Sequence, residues 1–137
     1  MRVLMLAVLL AAASPAVAES LLRADSGEMV GWPAYDGAGK LTFIDCRGDA
    51  HALAKGGSFE ATEQRCPSEP APFQLTGMVG GVEPERSRLE LREQGGATHM
   101  LYLGREAAES LAKLAPDQAV TVEGPVAGFV RSVKPAS

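Results

Sequence analysis

The chain has 137 residues, enough for one modest hydrophobic core and too few for two large domains. Its 17 acidic side chains outweigh 13 basic ones, a formal net charge of −4, which excludes a general attraction to phosphate backbones or anionic lipid. Aromatic residues make up only 5%, few for a surface that stacks nucleobases.

Met1 to Ala18 have the form of a secretory signal peptide: Arg2 as a positive start, Val3 to Ala13 as an apolar run, and Ala16-Val17-Ala18 as a small-x-small cleavage site. Cleavage after Ala18 is predicted. The run is shorter than the roughly twenty residues that cross a bilayer, and no later stretch approaches that length. An uncleaved anchor is the alternative, because the two share an apolar core. No cysteine stands at the cleavage point to carry a lipid. Alanine, glycine and arginine are abundant while lysine and isoleucine are scarce, as in GC-rich bacterial genomes, so the expected location is the periplasm, with no transmembrane segment in the mature chain. Asparagine is absent, which removes any acceptor for N-linked glycosylation.

Residues 19–70 are expected to form an N-terminal β segment and 71–137 a barrel, with 19–137 as one unit the alternative. Glu19 to Glu28 reads as a polar lead-in, ordered or loose. Asp36-Gly37-Ala38-Gly39 lies between two extended runs, Met29-Tyr35 and Lys40-Arg47, and predicts a hairpin. Leu41, Phe43 and Asp45 then share one face and Thr42, Ile44 and Cys46 the other. Asp49-Lys55 and Ser58-Arg65 read as short strands whose pairing the pattern leaves open. Cys46 and Cys66 are an even pair in an oxidising compartment and predict a disulfide; the pair lacks the close Cys-x-x-Cys spacing of redox or metal sites. Cys66-Pro67-Ser68-Glu69-Pro70-Ala71-Pro72 is a proline-rich joint.

Phe73 to Val79 alternates, with Gly77, Gly80 and Gly81 placed to bend or bulge the strand. Glu83-Pro84-Glu85-Arg86 breaks it. Ser87-Glu93 alternates with Leu89 and Leu91 inward, and Gly95-Gly96 leads into Thr98-Leu103. Between Arg105 and Leu114 the period changes: Ala107, Ala108, Leu111, Leu114 and Ala115 form a helical stripe, Arg105/Glu109 and Glu109/Lys113 stand at i,i+4, and Pro116-Asp117 ends the helix. Gln118-Glu123 and Val126-Val133 supply the last strands.

This order, with Phe73-Leu75-Thr76-Gly77-Met78-Val79, Tyr102-Leu103, the helix, and Leu114 to Gly128, resembles bacterial OB-domain proteins of the tRNA-anticodon-like type over about Phe73-Val133. The resemblance implies a mainly β fold: an OB-like five-stranded Greek-key barrel with one helix between strands three and four, preceded here by the N-terminal β segment. It also implies a ligand face on strands two and three and the first and fourth loops. In this chain that points to Arg86, Arg88, Arg92, His99 and Tyr102, with loop residues near Pro125. Glutamates interleave with the arginines and aromatics are few, which argues against nucleic acid as a partner, and single-strand binding ranks third.

The second-ranked expectation is a soft-metal chaperone, with His51, His99 and Met100 as ligand types suited to copper or silver. Against it, His99 and Met100 are adjacent and alternate across a strand, and Met78 and Met100 read as packing. Asp45, Asp49 and His51 are close enough for an acid-base group, but no nucleophile or oxyanion motif accompanies them. Arg47-Gly48-Asp49 reads as a turn, and Trp32-Pro33 beside Tyr35 as either a partner-binding ridge or packing. The expected function is therefore a non-enzymatic exported binding domain, without cofactor, for an envelope protein or a small ligand.

Overall fold

A computed structural model of the chain describes residues 20–24, 27–53, 58–115 and 117–136. The signal peptide predicted over residues 1–18 lies outside them. The described residues are mainly β, in two sheets with one helix.

The N-terminal sheet contains β1 (Ser20–Ala24), β2 (Gly27–Tyr35), β3 (Leu41–Asp45), β4 (Ala50–Ala52) and β5 (Ser58–Ala61), in the order β4-β3-β2-β1-β5 with every pair antiparallel. Within the expected lead-in, Ser20 to Ala24 is ordered as a strand. Ser20 to Ala24 pairs with both β2 and β5, and Leu22 is only 4% exposed. Pairing on both sides and the burial of Leu22 favour its order.

The hairpin through Asp36 to Gly39 forms as predicted, with Tyr35 opposite Leu41. Two further turns repeat its design. In each, an acidic residue donates its N–H to the carbonyl four residues on, and a glycine three residues on donates back: Asp36 with Lys40 and Gly39, Asp45 with Asp49 and Gly48, Glu93 with Ala97 and Gly96. The three glycines have φ of 82°, 93° and 100°, where a Cβ is strained. Arg47-Gly48-Asp49 belongs to the second of these turns.

The second sheet contains β6 (Phe73–Glu83), then a 3-10 turn (Pro84–Arg86), β7 (Arg88–Glu93), β8 (Thr98–Leu103), helix α1 (Arg105–Ala112), β9 (Ala119–Gly124), β10 (Phe129–Val130) and β11 (Ser132–Pro135). Its order is β10-β8-β7-β6-β9-β11. β10 runs parallel to β8 and β11 antiparallel to β9, so the two ends of the sheet are separated only by Arg131 and the sheet nearly closes into a barrel. The sheet has six strands because the last extended run must leave β8 and join β9. At that switch Gly104 N donates to the Val130 carbonyl at 3.0 Å and Arg131 N to the Glu123 carbonyl at 2.7 Å. Gly124 is required beside it, since a Cβ there would overlap the Phe129 carbonyl.

The glycines of β6 act as expected: its register with β7 slips between Val79 and Gly81, a bulge at Gly80. Leu89, Leu91, Leu101, Leu103, Val120 and Val122 fill the interior, and Ala107 of α1 closes it from one side. Ala108, Leu111 and Leu114 pack partly against that core, but the helix ends at Ala112, short of the predicted Leu114. The charged pairs at i,i+4 on this helix do not come within ion-pair distance; the outer face gains little from such exposed pairs. Met78, expected to pack, is 40% exposed because the β6 alternation puts it outward, opposite Arg92.

Trp32 and Pro33 are fully buried, which excludes the exposed ridge and leaves packing. From Gly31 to Tyr35 every residue of β2 is buried, with Gly128 of the barrel lying against Ala34 and Tyr35. The predicted disulfide forms: Cys46 and Cys66 are bonded, with Cα atoms 5.3 Å apart, and tie the β3–β4 turn to the proline-rich joint. That joint is anchored to the barrel by Ala71 N donating to the Pro125 carbonyl and by the Arg131–Glu69 ion pair. Removing a crosslink across this span frees the unfolded chain, so a Cys46→Ser/Cys66→Ser double variant is expected to lose about 3 kcal/mol. Urea unfolding of the variant beside the oxidised protein measures it; an unchanged midpoint with an unchanged slope contradicts it.

Candidate functional site

The residues expected on a ligand face separate once strand register is applied. Arg88, Arg92 and Tyr102 project to the outside of the barrel: Arg88 pairs with Tyr102 and Arg92 with Thr98. His99 stands opposite Leu91, on the interior side, so it faces away from those three. Arg86 lies in the 3-10 turn. The structure therefore brings Arg86, Arg88 and Tyr102 to one end of the β7–β8 surface, leaves Arg92 exposed further along it, and sends His99 to the other face.

That end of the surface is covered by the N-terminal sheet. The Tyr102 ring lies 6.0 Å from Tyr35, 6.0 Å from Phe59 in an edge-on arrangement, and 5.9 Å from Phe129 in a stack. Phe43 continues the chain of rings, 6.4 Å from Phe59. The Tyr35 hydroxyl donates to the Arg86 carbonyl at 2.6 Å, and the Arg88 guanidinium sits 5.9 Å from the centre of the Tyr35 ring. Glu83 holds Arg88 at 3.5 Å and Arg86 at 3.8 Å. Arg86, Arg88 and Tyr102 thus fasten the N-terminal sheet to the barrel.

Beside this seam is a cleft of about 980 Å³, against about 410 and 490 Å³ for two other clefts described. Phe59 of β5 forms one wall. Val82 of β6, Leu103 of β8, Leu111 of α1 and Phe129 of β10 form the others, and Tyr102 reaches its depth. Arg105, Glu106, Glu60 and Arg131 stand around it. A volume of this size, with apolar walls and charged residues of both signs around them, suits a small molecule or a short stretch of chain. Val82, 41% exposed, is one of two large apolar side chains left in solvent among the described residues. Sequence reasoning missed Phe59, Val82, Leu111 and Phe129, because each reads as ordinary packing on its own element and the cleft exists only where remote elements meet. The exposed valine at the end of β6, beside Pro84, is the one local sign of it.

The two histidines are each held by the acid six residues earlier, across two of the three matching turns. His51 Nε2 lies 2.8 Å from Asp45 Oδ2, and His99 Nε2 lies 2.6 Å from Glu93 Oε1. Asp45 Oδ1 also accepts the Arg47 and Asp49 N–H groups at 2.9 and 3.0 Å, while Asp49 points to solvent beside Arg47. Of the sequence trio, only the Asp45 and His51 side chains meet each other. Of the metal trio, His51 is in β4 of one sheet, His99 faces the interior side of β8, and Met100 faces the exterior side. No described cleft is lined by both histidines, and no cluster of three or more His, Cys, Asp or Glu able to hold a metal occurs among the described residues. No helix among them is long and apolar enough to cross a membrane.

The class that the fold defines is a mainly β protein with a nearly closed, six-strand barrel-like sheet and a second sheet docked on it. Compared with protein-family models, curated proteins and solved structures, the chain matches none.

Two of the side chains at these contacts carry pH signatures. Burial raises the Asp45 carboxyl, but the His51 hydrogen bond and the Asp49 and Arg47 N–H groups together outweigh it and hold the group below its ordinary 3.8. A depressed native value means that its contribution is present above pH 3.8 and lost as pH falls through the native value. Asp45→Asn is expected to be less stable at neutral pH and to show a flatter decline below pH 3.8 than the parent, measured by urea unfolding across that range. Parallel curves would contradict it.

Burial first, then the neighbouring Tyr102, raises Tyr35 above its ordinary 10.0. Its stabilising, protonated form is kept below pH 10 and lost as pH rises through the native value. Tyr35→Phe keeps the ring and loses the bond to Arg86, so it is expected to cost about 1 kcal/mol at neutral pH and to soften the alkaline transition. Unfolding midpoints at neutral pH and above pH 10 check both parts.

Proposed function

We propose that this protein is an exported, non-enzymatic binding module of the periplasm, and that its ligand lies in the cleft between β5, the end of β6 and α1. The carrying observation is the cleft itself: about 980 Å³, walled by Phe59, Val82, Leu103, Leu111 and Phe129. Apolar walls of that extent gain free energy when an apolar occupant displaces water. The signal-peptide pattern of residues 1–18 and the Cys46–Cys66 bond support export, since disulfides persist in oxidising compartments.

The same reading takes the barrel as an OB-fold. In support, β6, β7, β8, α1 and β9 follow in that order, and the last run is parallel to the third strand through β10 and antiparallel to the fourth through β11. An OB-fold ordinarily offers its second and third strands to ligands. Here Tyr35 and Phe59 rest on that surface at Tyr102, which favours a ligand at the seam over one on the bare strands.

The fluorescent dye 1-anilinonaphthalene-8-sulfonate, apolar with one charged end, is the first probe. Saturable uptake by the native protein is expected. Val82→Glu places a charge in the apolar wall at a position already open to solvent, and is expected to weaken uptake about tenfold while leaving the urea midpoint nearly unchanged. Equal uptake by the variant, or none by either protein, overturns the site.

A further inference from the structure

We propose that Ser87 is the polar recognition point of this cleft, and that the occupant is a small apolar molecule carrying an uncharged hydroxyl or carbonyl group. The inference rests on the cleft being the binding site and names what fills it. Ser87 lines the cleft together with Val82, Pro84, Tyr102 and Leu103. It closes the 3-10 turn in the left-handed conformation, with φ 48° and ψ 41°. Seven described residues have positive φ: five are glycine, one is Asp117, whose residue type tolerates the region, and the last is Ser87. Glycine would meet the same turn at lower cost. A side chain kept in a costly conformation at the wall of a cleft points to use by a ligand rather than by the fold.

The main chain of Ser87 is already spent. Its N–H donates to the Pro84 carbonyl at 3.1 Å, and its carbonyl accepts the Leu103 N–H at 2.6 Å. Its half-buried side chain makes no hydrogen bond among the described residues, which leaves a hydroxyl able both to donate and to accept. The charged residues around the cleft favour an uncharged partner for it. Arg131 is held by Glu69, Glu60 is engaged as well, and Arg105 and Glu106 stand next to each other, exposed and opposite in sign. An ionised head would meet both signs with little net gain. A neutral hydroxyl or carbonyl needs one hydrogen-bond partner, and Ser87 supplies it while Phe59, Val82, Leu111 and Phe129 receive the apolar remainder.

The test uses the intact oxidised protein and two probes of one shape, 2-naphthol and 2-methylnaphthalene, which differ by a hydroxyl in place of a methyl group. Each displaces the anilinonaphthalene dye from the parent, from Ser87→Gly and from Ser87→Ala. Both variants are expected to weaken 2-naphthol about fivefold and to leave 2-methylnaphthalene unchanged. Ser87→Gly is also expected to raise the urea midpoint, because it relieves the left-handed position, while Ser87→Ala keeps the Cβ and stays near the parent. Gain of stability with loss of one probe is a combination that a purely structural serine does not give. If the dye binds and responds to Val82→Glu but the two probes respond alike to the Ser87 variants, or Ser87→Gly lowers the midpoint, the role of Ser87 is overturned and the cleft stands. If the parent binds neither dye nor probe, the cleft is not the binding site and both readings fall.

Discussion

The packing of Tyr102 is the contact on which the arrangement of the two sheets depends. A five-stranded sheet of short strands cannot stabilise itself in water; it needs a second apolar layer. The barrel supplies that layer through a single outward-facing ring on β8, against which Tyr35 and Phe59 converge from one sheet and Phe129 stacks from the other. Tilted and edge-on contacts between rings add to area burial and fix angles. The Tyr35 hydroxyl then finds its acceptor in the backbone of the 3-10 turn, so the orientation is set by a polar bond as well as by shape. The proline-rich joint and the disulfide hold the remaining connection, which leaves the docked sheet little freedom to slide.

Much of the barrel was legible because its strands alternate cleanly. Leu89 and Leu91 against Arg88, Glu90 and Arg92 allow only one inward face, and the change of period at Arg105 marks the helix. The glycines of β6 announced the bulge, and Asp36 to Gly39 the hairpin, since each motif has a local backbone requirement. Features set by remote contacts were not legible. Ser20 to Ala24 is short and mixed in polarity, and becomes a central strand only because β2 and β5 flank it. The last run reads as one strand and divides at Arg131 because the barrel closes there. Trp32 is surrounded by residues that look equally suited to an interface, and its burial is decided by elements far away in the chain.

The candidate site followed the same division. The resemblance pointed to Arg88 and Tyr102, which do lie on one outward surface, and the period of two placed His99 on the other side as soon as register was known. What residue type could not supply was the covering sheet, which turns those side chains from a ligand surface into a fastening. The cleft that remains has aliphatic and aromatic walls, with charged residues around them, and none of these carries a motif. Its walls come from β5, β6, β8, α1 and β10, and no window of sequence contains more than a part of it.

The histidines show how a catalytic-looking pair can arise from turn geometry alone. In a turn whose first residue donates to the carbonyl four residues later, the residue six positions on lies back along the opposite strand, on the same side as the first. An acid at the first position and a histidine at the seventh then meet without any further requirement, and the chain does this twice, at Asp45/His51 and at Glu93/His99. The acid is already committed to the turn: Asp45 accepts two main-chain N–H groups, which hold its carboxylate toward the loop. A catalytic dyad uses its acid to orient a base toward substrate, with a nucleophile and a cavity beyond it. Here the largest of the described clefts lies elsewhere, at the seam, and neither histidine lines it, while His99 borders the cleft of about 490 Å³. The physical division is between turns that are locked by charge and a cleft that is open and apolar, and it is the second that has the surface to attract a partner.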